Sequence, residues 1–437
     1  MPLSYNWLTY AQMRAALAQR LADPTNKFWS DAENGAYIIE ALQTFNALTG
    51  VWQTDFVFNT GNQIWYSIPT LAMSPRIRYR TDRYLYTIMQ YHLLEPPTGE
   101  LWTGSPQFTM ADLSGALQRR QDELLQNTGC NLANFQLNTF PDTRRTPLPV
   151  GTLEVRRARW VPTLGGAATL WRNDSLGMSY FEPLYRQTVE PPTEYTVMDG
   201  QPLTFNVNNA PNTPGIYDLI VLNSGAIFNP PAISYMSLPA DWCWLAKWGA
   251  LSDLLGRDSE ATDRLRAAYC NQRYREGTQL MQRSPWILYG SINNVPVDTD
   301  SMYQMDSFSA EWDSIPDSYP AIVTAGIDLM AISPAPTATT GVEITVVGNM
   351  PLPINDTDFI QLSEDQFDGV LDYAQHIASF KQGGSEFTDT KDLYQNFITL
   401  CSQTNSRIEE LGIFRDLMFQ QGLRQDENQA RFKEPVT

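Results

Sequence analysis

The sequence predicts an α+β chain, with helical bundle elements at both ends combined with β-sandwich-like segments between them. Apolar residues recur at helical spacing from Leu8 to Trp52 and again after Ser363. Between about 131 and 240 the chain instead alternates in short runs broken by Pro, Gly, Thr and Asn. A third observation is repetition: a strand-turn-strand-helix pattern is written twice, so an internally duplicated unit is part of the expected fold. The expected organisation is a helical N-terminal region with a β-hairpin over 1–130, a β-rich segment followed by helices over 131–282, and a β-rich segment followed by C-terminal helices and a polar tail over 283–437.

Thr9 opens the first helix with Gln12 three residues on, the spacing of a capping box. Tyr10, Met13, Leu17 and Leu21 give it one apolar face, and Asp23-Pro24-Thr25-Asn26 ends it. Ser30 and Glu33 cap a second helix, whose stripe is Ile38, Leu42, Phe45 and Trp52. Alternation over Asp55–Asn59, the Gly61-Asn62 pair and Gln63–Tyr66 then predict a hairpin. Asp82–Leu94 has helical spacing and stops at Pro96-Pro97, and a further helix runs from Thr109 to about Asn127. Strands are expected at 154–156, 194–197, 203–207 and 217–222. Helices follow over Ala240–Tyr274, with Trp244, Leu245, Trp248, Leu251 and Leu255 on one face. Strands resume at Trp286–Tyr289 and, most clearly, at Val342–Val347. Ser363 and Gln366 cap a late helix, and Leu393–Leu400 and Ile408–Met418 continue the helical pattern into a polar tail after Gly422.

Two internal resemblances stand out. Phe108–Leu113 resembles Leu8–Met13, and Ala116, Leu117 and Arg120 match Ala16, Leu17 and Arg20; a duplication and two unrelated amphipathic helices both account for this. Gly200, Leu203, Gly215, Val221, Ser237 and Leu245 likewise fall on Gly326, Leu329, Gly341, Val347, Ser363 and Leu371 at one constant shift.

Composition limits the function. Hydrophobic residues at 43% of the chain and aromatic residues at 12% are those of a folded chain, and 437 residues suffice for more than one core. With 48 acidic against 30 basic residues, the net charge is −18, which repels nucleic acid, and no basic run offers a grip on phosphate. Cys130, Cys243, Cys270 and Cys401 lie too far apart for a structural zinc pattern and read as buried thiols. No signal-peptide pattern opens the sequence, and no apolar run approaches the ~18–20 residues that span a bilayer.

No catalytic, cofactor-binding or metal-binding residue can be nominated. His92 and His376, the only histidines, sit in apolar helical surroundings and read as packed side chains. There is no GxSxG, HExxH, Walker loop or GxGxxG. Asp298 and Asp300 have a calcium-like spacing, but Met302 stands at the fifth position and the loop glycine is missing. Asp356 and Asp358 read as partners of a helix N-terminus. Trp102, Trp160, Trp171, Trp286 and Trp312 could line a sugar groove or anchor cores and interfaces.

Those residues support one resemblance. Thr9-Tyr10-Ala11-Gln12-Met13 through Asp23-Pro24 to Phe28-Trp29-Ser30-Asp31-Ala32-Glu33, then Ala41-Leu42 and Phe45-Asn46, resembles the openings of head-to-tail adaptor (connector or neck) proteins of tailed bacteriophages. Asp358–Leu362 into Val370–Ala374, and Gly383–Phe387 before the last helices, is similar to phage neck and adaptor chains. The likeness covers the two ends and leaves the middle unmatched. It implies a non-enzymatic virion protein, made in the host cytoplasm and placed at the neck. Such a subunit forms a ring, most often of twelve copies, docks under the portal protein, joins tail or neck proteins and encloses the channel for genomic DNA without binding it specifically. No cofactor, metal or membrane is implied. A tail-tube protein, a tail-fibre anchor and a glycan-binding or glycan-degrading tail protein are the alternatives.

Overall fold

The computed structural model describes residues 6–61, 63–68, 79–93, 107–181, 187–198, 200, 202–257, 262–283, 287–309, 311–313, 320–326, 329–336 and 339–404. The chain is α+β. Its helices are α1 (Tyr10–Arg20), α2 (Asp31–Thr49), α3 (Asp82–His92), α4 (Met110–Thr128), α5 (Ser175–Phe181), α6 (Cys243–Gly256), α7 (Arg264–Arg283), α8 (Met302–Phe308), α9 (Glu364–Ser379), α10 (Gly384–Asp389) and α11 (Lys391–Thr404). The capping boxes form where the sequence places them: the amide of Gln12 donates to Thr9 Oγ1 and the amide of Thr9 to Gln12 Oε1, with the same exchange between Ser30 and Glu33. Each box satisfies helix amides that would otherwise lack partners.

The first sheet contains β1 (Gln53–Asn59), β2 (Trp65–Ser67), β12 (Ile287–Ile292), β13 (Val295–Ser301), β14 (Ala321–Ala325), β15 (Leu329–Ser333) and β16 (Gly341–Val347), in the order β1-β16-β12-β13-β14-β15-β2. The second contains β4 (Leu132–Thr139), β5 (Arg145–Pro147), β6 (Thr152–Pro162), β7 (Ala168–Arg172), β8 (Glu194–Met198), β9 (Thr204–Val207) and β10 (Gly215–Asn223), in the order β4-β10-β6-β7-β8-β9-β5. Strands β3 (Tyr79–Thr81) and β11 (Tyr235–Pro239) form a small third pair.

The two seven-stranded sheets have the same topology. In each, every neighbouring pair is antiparallel except one, β13 with β14 and β7 with β8. A short helix, α8 or α5, lies within that parallel crossover. Even an irregularity is shared: the pairing slips by one residue beside Leu288 on β12 and beside Arg156 on β6. Such a bulge leaves one residue unpaired and bends its strand. The helices match too. Each sheet's first strand follows a 19-residue helix that ends on a left-handed glycine, Gly50 after α2 and Gly129 after α4. Helix α2 packs on α9 and α11 as α4 packs on α6 and α7. The N-cap threonines of α1 and α3 pair alike, Thr9 with Phe359 and Thr81 with Tyr235.

The chain therefore holds two modules of one design. The inner module runs from Tyr79 to Arg283 without interruption. It is threaded into the outer module, residues 9–68 and 287–404, between β2 and β12. Helices of both share one apolar core that includes Phe45, Leu117, Trp248 and Phe397. Each sheet curls around its own core, Phe205, Tyr217 and Leu219 in the inner module and Ile322, Met330 and Ile344 in the outer.

Several expectations differ from this arrangement. The hairpin expected at Gly61-Asn62 does not form, because β1 pairs with β16 and β2 with β15, at opposite ends of the strand order. Curling nonetheless brings the two edges together, with the Phe58 and Tyr66 ring centroids 5.7 Å apart. Alternation fixes which face of a strand is apolar but not which partner it takes. Within 131–240 the strands β4 to β10 form one curled sheet and β11 pairs with β3, while the later strands need β1 and β2 from the N-terminal region. The likeness between Leu8–Arg20 and Phe108–Arg120 joins α1 to α4, whereas α1 holds the place of α3, and α2 that of α4. The second resemblance joins the right strands, β10 and β16, one residue out of register: the inward residues Tyr217, Leu219 and Val221 correspond to Val342, Ile344 and Val346. The helix expected over Ile408–Met418 and the tail after Gly422 lie outside the described residues.

Candidate functional site

The residues weighed for chemistry are dispersed. Among the described residues no group of three or more His, Cys, Asp or Glu side chains is placed to hold a metal ion. His376 is buried, with Nε2 2.8 Å from the Tyr269 hydroxyl and Nδ1 2.8 Å from Thr390 Oγ1. Because the Thr390 hydroxyl donates to the Phe387 carbonyl, its oxygen accepts from Nδ1–H and Nε2 accepts from Tyr269. Burial pushes the imidazole down to about 3. His92 is buried among Tyr37, Trp248 and Phe380, and burial together with the Lys247 charge lowers its pKa well below the ordinary value.

Asp298 and Asp300 lie on β13, and Asp300 borders a cleft of about 250 Å³ where β13, α7 and the Gly129 turn meet. Asp356 and Asp358 serve α1, not α9, and do so through their backbone: the amides of Tyr10 and Ala11 donate to the carbonyls of Asp358 and Asp356. The Asp358 carboxylate accepts from the amides of Ile354 and Asn355, which lower its pKa. Trp160 and Trp312 are buried in different cores and Trp171 is 62% exposed, so these three share no groove. Trp102 and Trp286 lie outside the described residues. All four cysteines are buried.

The most elaborately built region is the seam between the modules, which the sequence analysis did not single out. In the helical layer, Lys247 of α6 pairs with Glu40 of α2, and Trp248 Nε1 donates to the other Glu40 oxygen at 3.0 Å. Lys247 also lies 3.2 Å from His92 Nε2 and 3.9 Å above the Trp248 ring. Further along α2, Gln43 donates to the Ala240 carbonyl at 2.9 Å, and Asn46 donates to Asp241 at 2.6 Å and to the Gly348 carbonyl at 2.8 Å. Burial pushes the Asp241 carboxyl up to about 7, against the opposing bonds from Asn46 and the Met350 amide.

In the sheet layer, Met302 and Met305 of α8 and Trp312 pack with Ala321, Val323 and Leu329 onto Leu132, Ile220 and Leu222 of the inner sheet. Arg157 and Arg159 on β6 reach back to Asp313, at 3.1 and 3.0 Å, and Arg157 also pairs with Asp306. The Asp313 side chain is wholly buried. Charges removed from water this fully are tolerated only when paired. The seam can hold two modules in one fixed relation.

No helix among the described residues is long and apolar enough to cross a membrane. No family model matches the chain, and no curated protein matches it.

Proposed function

We propose that the chain is a non-enzymatic virion structural protein: a ring-forming head-to-tail adaptor that docks under the portal, joins the tail and encloses the DNA channel. The resemblance of its two ends to phage neck and adaptor chains motivates the reading. The observation that carries it furthest is the seam, where polar and titratable side chains are spent joining one module to the other. An excess of acidic residues suits a channel along which DNA slides, because phosphate and carboxylate repel. The partners in this reading are further copies of the chain, twelve in the rings it resembles, with the portal and tail or neck proteins. The two modules are read as products of an internal duplication, one copy inserted into the other.

Quantitative mass spectrometry of purified particles tests virion membership. Recovery of the chain in a fixed ratio to the portal protein is expected. Its absence from particles overturns the reading and returns attention to glycan chemistry, for which a polysaccharide-degradation screen is the direct measurement.

A further inference from the structure

The cleft that Asp300 borders lies between the modules. The inner module supplies the end of α4 with the Gly129 turn and the last turn of α7; the outer module supplies the ends of β13 and β14. Asp300 stands opposite Val323 on the neighbouring strand, and Val323 packs into the seam. Residues opposite one another share a face of the sheet, so the Asp300 side chain is directed toward the inner module and not into the barrel.

The repeated design supplies an internal comparison. Along the parallel pairs Asp298 faces Ala321 and Trp171 faces Glu194, which makes Asn173 the counterpart of Asp300 and Glu194 that of Ala321. The residues that follow, Ser301 and Asp174, fix this register, since each caps its helix by accepting from the amide of Gln304 or Gly177. In the inner module Asn173 donates to Glu194 at 2.8 Å. In the outer module alanine stands in that partner's place, and the Asp300 carboxylate has neither a hydrogen bond nor an ion pair among the described residues.

The cleft adds negative potential of its own. Helices α4 and α7, of 19 and 20 residues, both end at its wall, and a helix C-terminus carries partial negative charge. Gln282 ties the two ends together by donating to the Asn127 carbonyl at 2.6 Å. No Lys, Arg or His stands among the described lining residues, and Leu132, Met281, Ile287 and Met302 give the wall an apolar part. A bare metal ion does not suit such a site. Hard divalent cations take about six or more oxygen ligands, and no group of three ligating side chains gathers among the described residues.

We infer that the cleft binds a primary alkylammonium group, its nitrogen donating to the Asp300 carboxylate and its aliphatic stem lying against Met281, Ile287 and Met302. An ammonium is a compact charge with several donors, and a space of about 250 Å³ is ample for one on a short carbon chain. A cation held there touches both modules, so its binding stabilises the folded chain and the seam together. The same chemistry is carried by a free alkylamine and by a lysine side chain of a partner. The inference does not rest on the ring-subunit reading.

The test is isothermal titration of the full chain with n-pentylamine, N-acetyl-lysine methylamide and n-pentanol. Saturable binding of an amine at one site per chain is expected, with none of the alcohol. Asp300→Asn introduces the residue that the inner module carries at this place, so the fold accommodates it, and it should weaken binding about tenfold or more. Asp298→Asn removes the same charge from an exposed position outside the cleft and should leave binding unchanged. Tighter binding of the lysine derivative assigns the site to a partner's side chain, and tighter binding of pentylamine assigns it to a free amine; either supports the inference. No saturable binding of either amine, equal binding by wild type and Asp300→Asn, or equal weakening by Asp298→Asn would overturn it.

Discussion

Lys247 of the inner module and Glu40 of the outer module form an ion pair inside the helical core, each with almost no exposed surface. Removing one member of such a pair strands the other charge in a medium that solvates it poorly. Lys247→Met should therefore destabilise the chain by about 3–5 kcal/mol. The double variant Glu40→Leu/Lys247→Met should recover most of that loss, because no unpaired charge remains. Chemical denaturation of the four proteins in this cycle measures both effects, and equal destabilisation by the single and double variants would contradict the pairing.

The matching glycines make a prediction of opposite signs. Gly50 and Gly129 have φ of 64° and 61°, where a side chain is strained whatever space is available. Alanine at either should cost about 1–2 kcal/mol. Gly115 lies within α4, and a Cβ there would meet only the Arg119 guanidinium at an ordinary 3.7 Å. Gly115→Ala should instead stabilise by about 0.5–1 kcal/mol. Thermal melts of the three variants read the signs directly.

These glycines also show how far the sequence was legible. Local signals survived: the boxes at Thr9 and Ser30, the stripe through Trp244 and Trp248, and the strand at Val342–Val347 all appear where periodicity and capping place them. Partners did not. Phe56 and Phe58 alternate as a strand must, but nothing local says that their neighbours are Ile344 and Val342, nearly three hundred positions away. β14, buried but for Thr324, and the fully buried β15 lack the alternation that marks a half-buried strand. A stronger mark of the repeat is a Ser or Thr cap with an acidic residue three on, then Thr-Gly at the helix end, which equates Ser30, Glu33 and Thr49-Gly50 with Thr109, Asp112 and Thr128-Gly129. The seam was invisible because Glu40 and Lys247 read as surface charges until the fold brings them together.

Tryptophans separate core from surface. Trp248 is wholly buried, with its ring 5.1 Å from that of Phe380, and Trp248→Ala should cost about 3–5 kcal/mol. Trp171→Ala, on the open face of the inner module, should change the stability of the monomer by less than about 0.5 kcal/mol. Comparable melting losses for the two would contradict the exposure of Trp171.

The Asp241 carboxyl gives a pH signature. Its pKa in the folded chain is raised to about 7, so the native state holds a proton that the unfolded state releases above about 4. That contribution is fully present below pH ~4 and is lost as pH rises through ~7. Asp241→Asn keeps an oxygen for the Asn46 amide and removes the titration. The stability difference between wild type and variant should move in favour of the wild type as pH falls from 8 to 5. A difference that does not change with pH would mean that Asp241 is ionised throughout. The two buried histidines act in the other direction, since protonation on unfolding draws stability away below pH ~6.5.

The most direct measurement of the structural reading is electron microscopy of purified virions labelled with an antibody against this chain. The account predicts label at the vertex where head meets tail. Label along the tail or at its tip would move the chain to the tube or fibre anchor, and unlabelled virions would contradict the account.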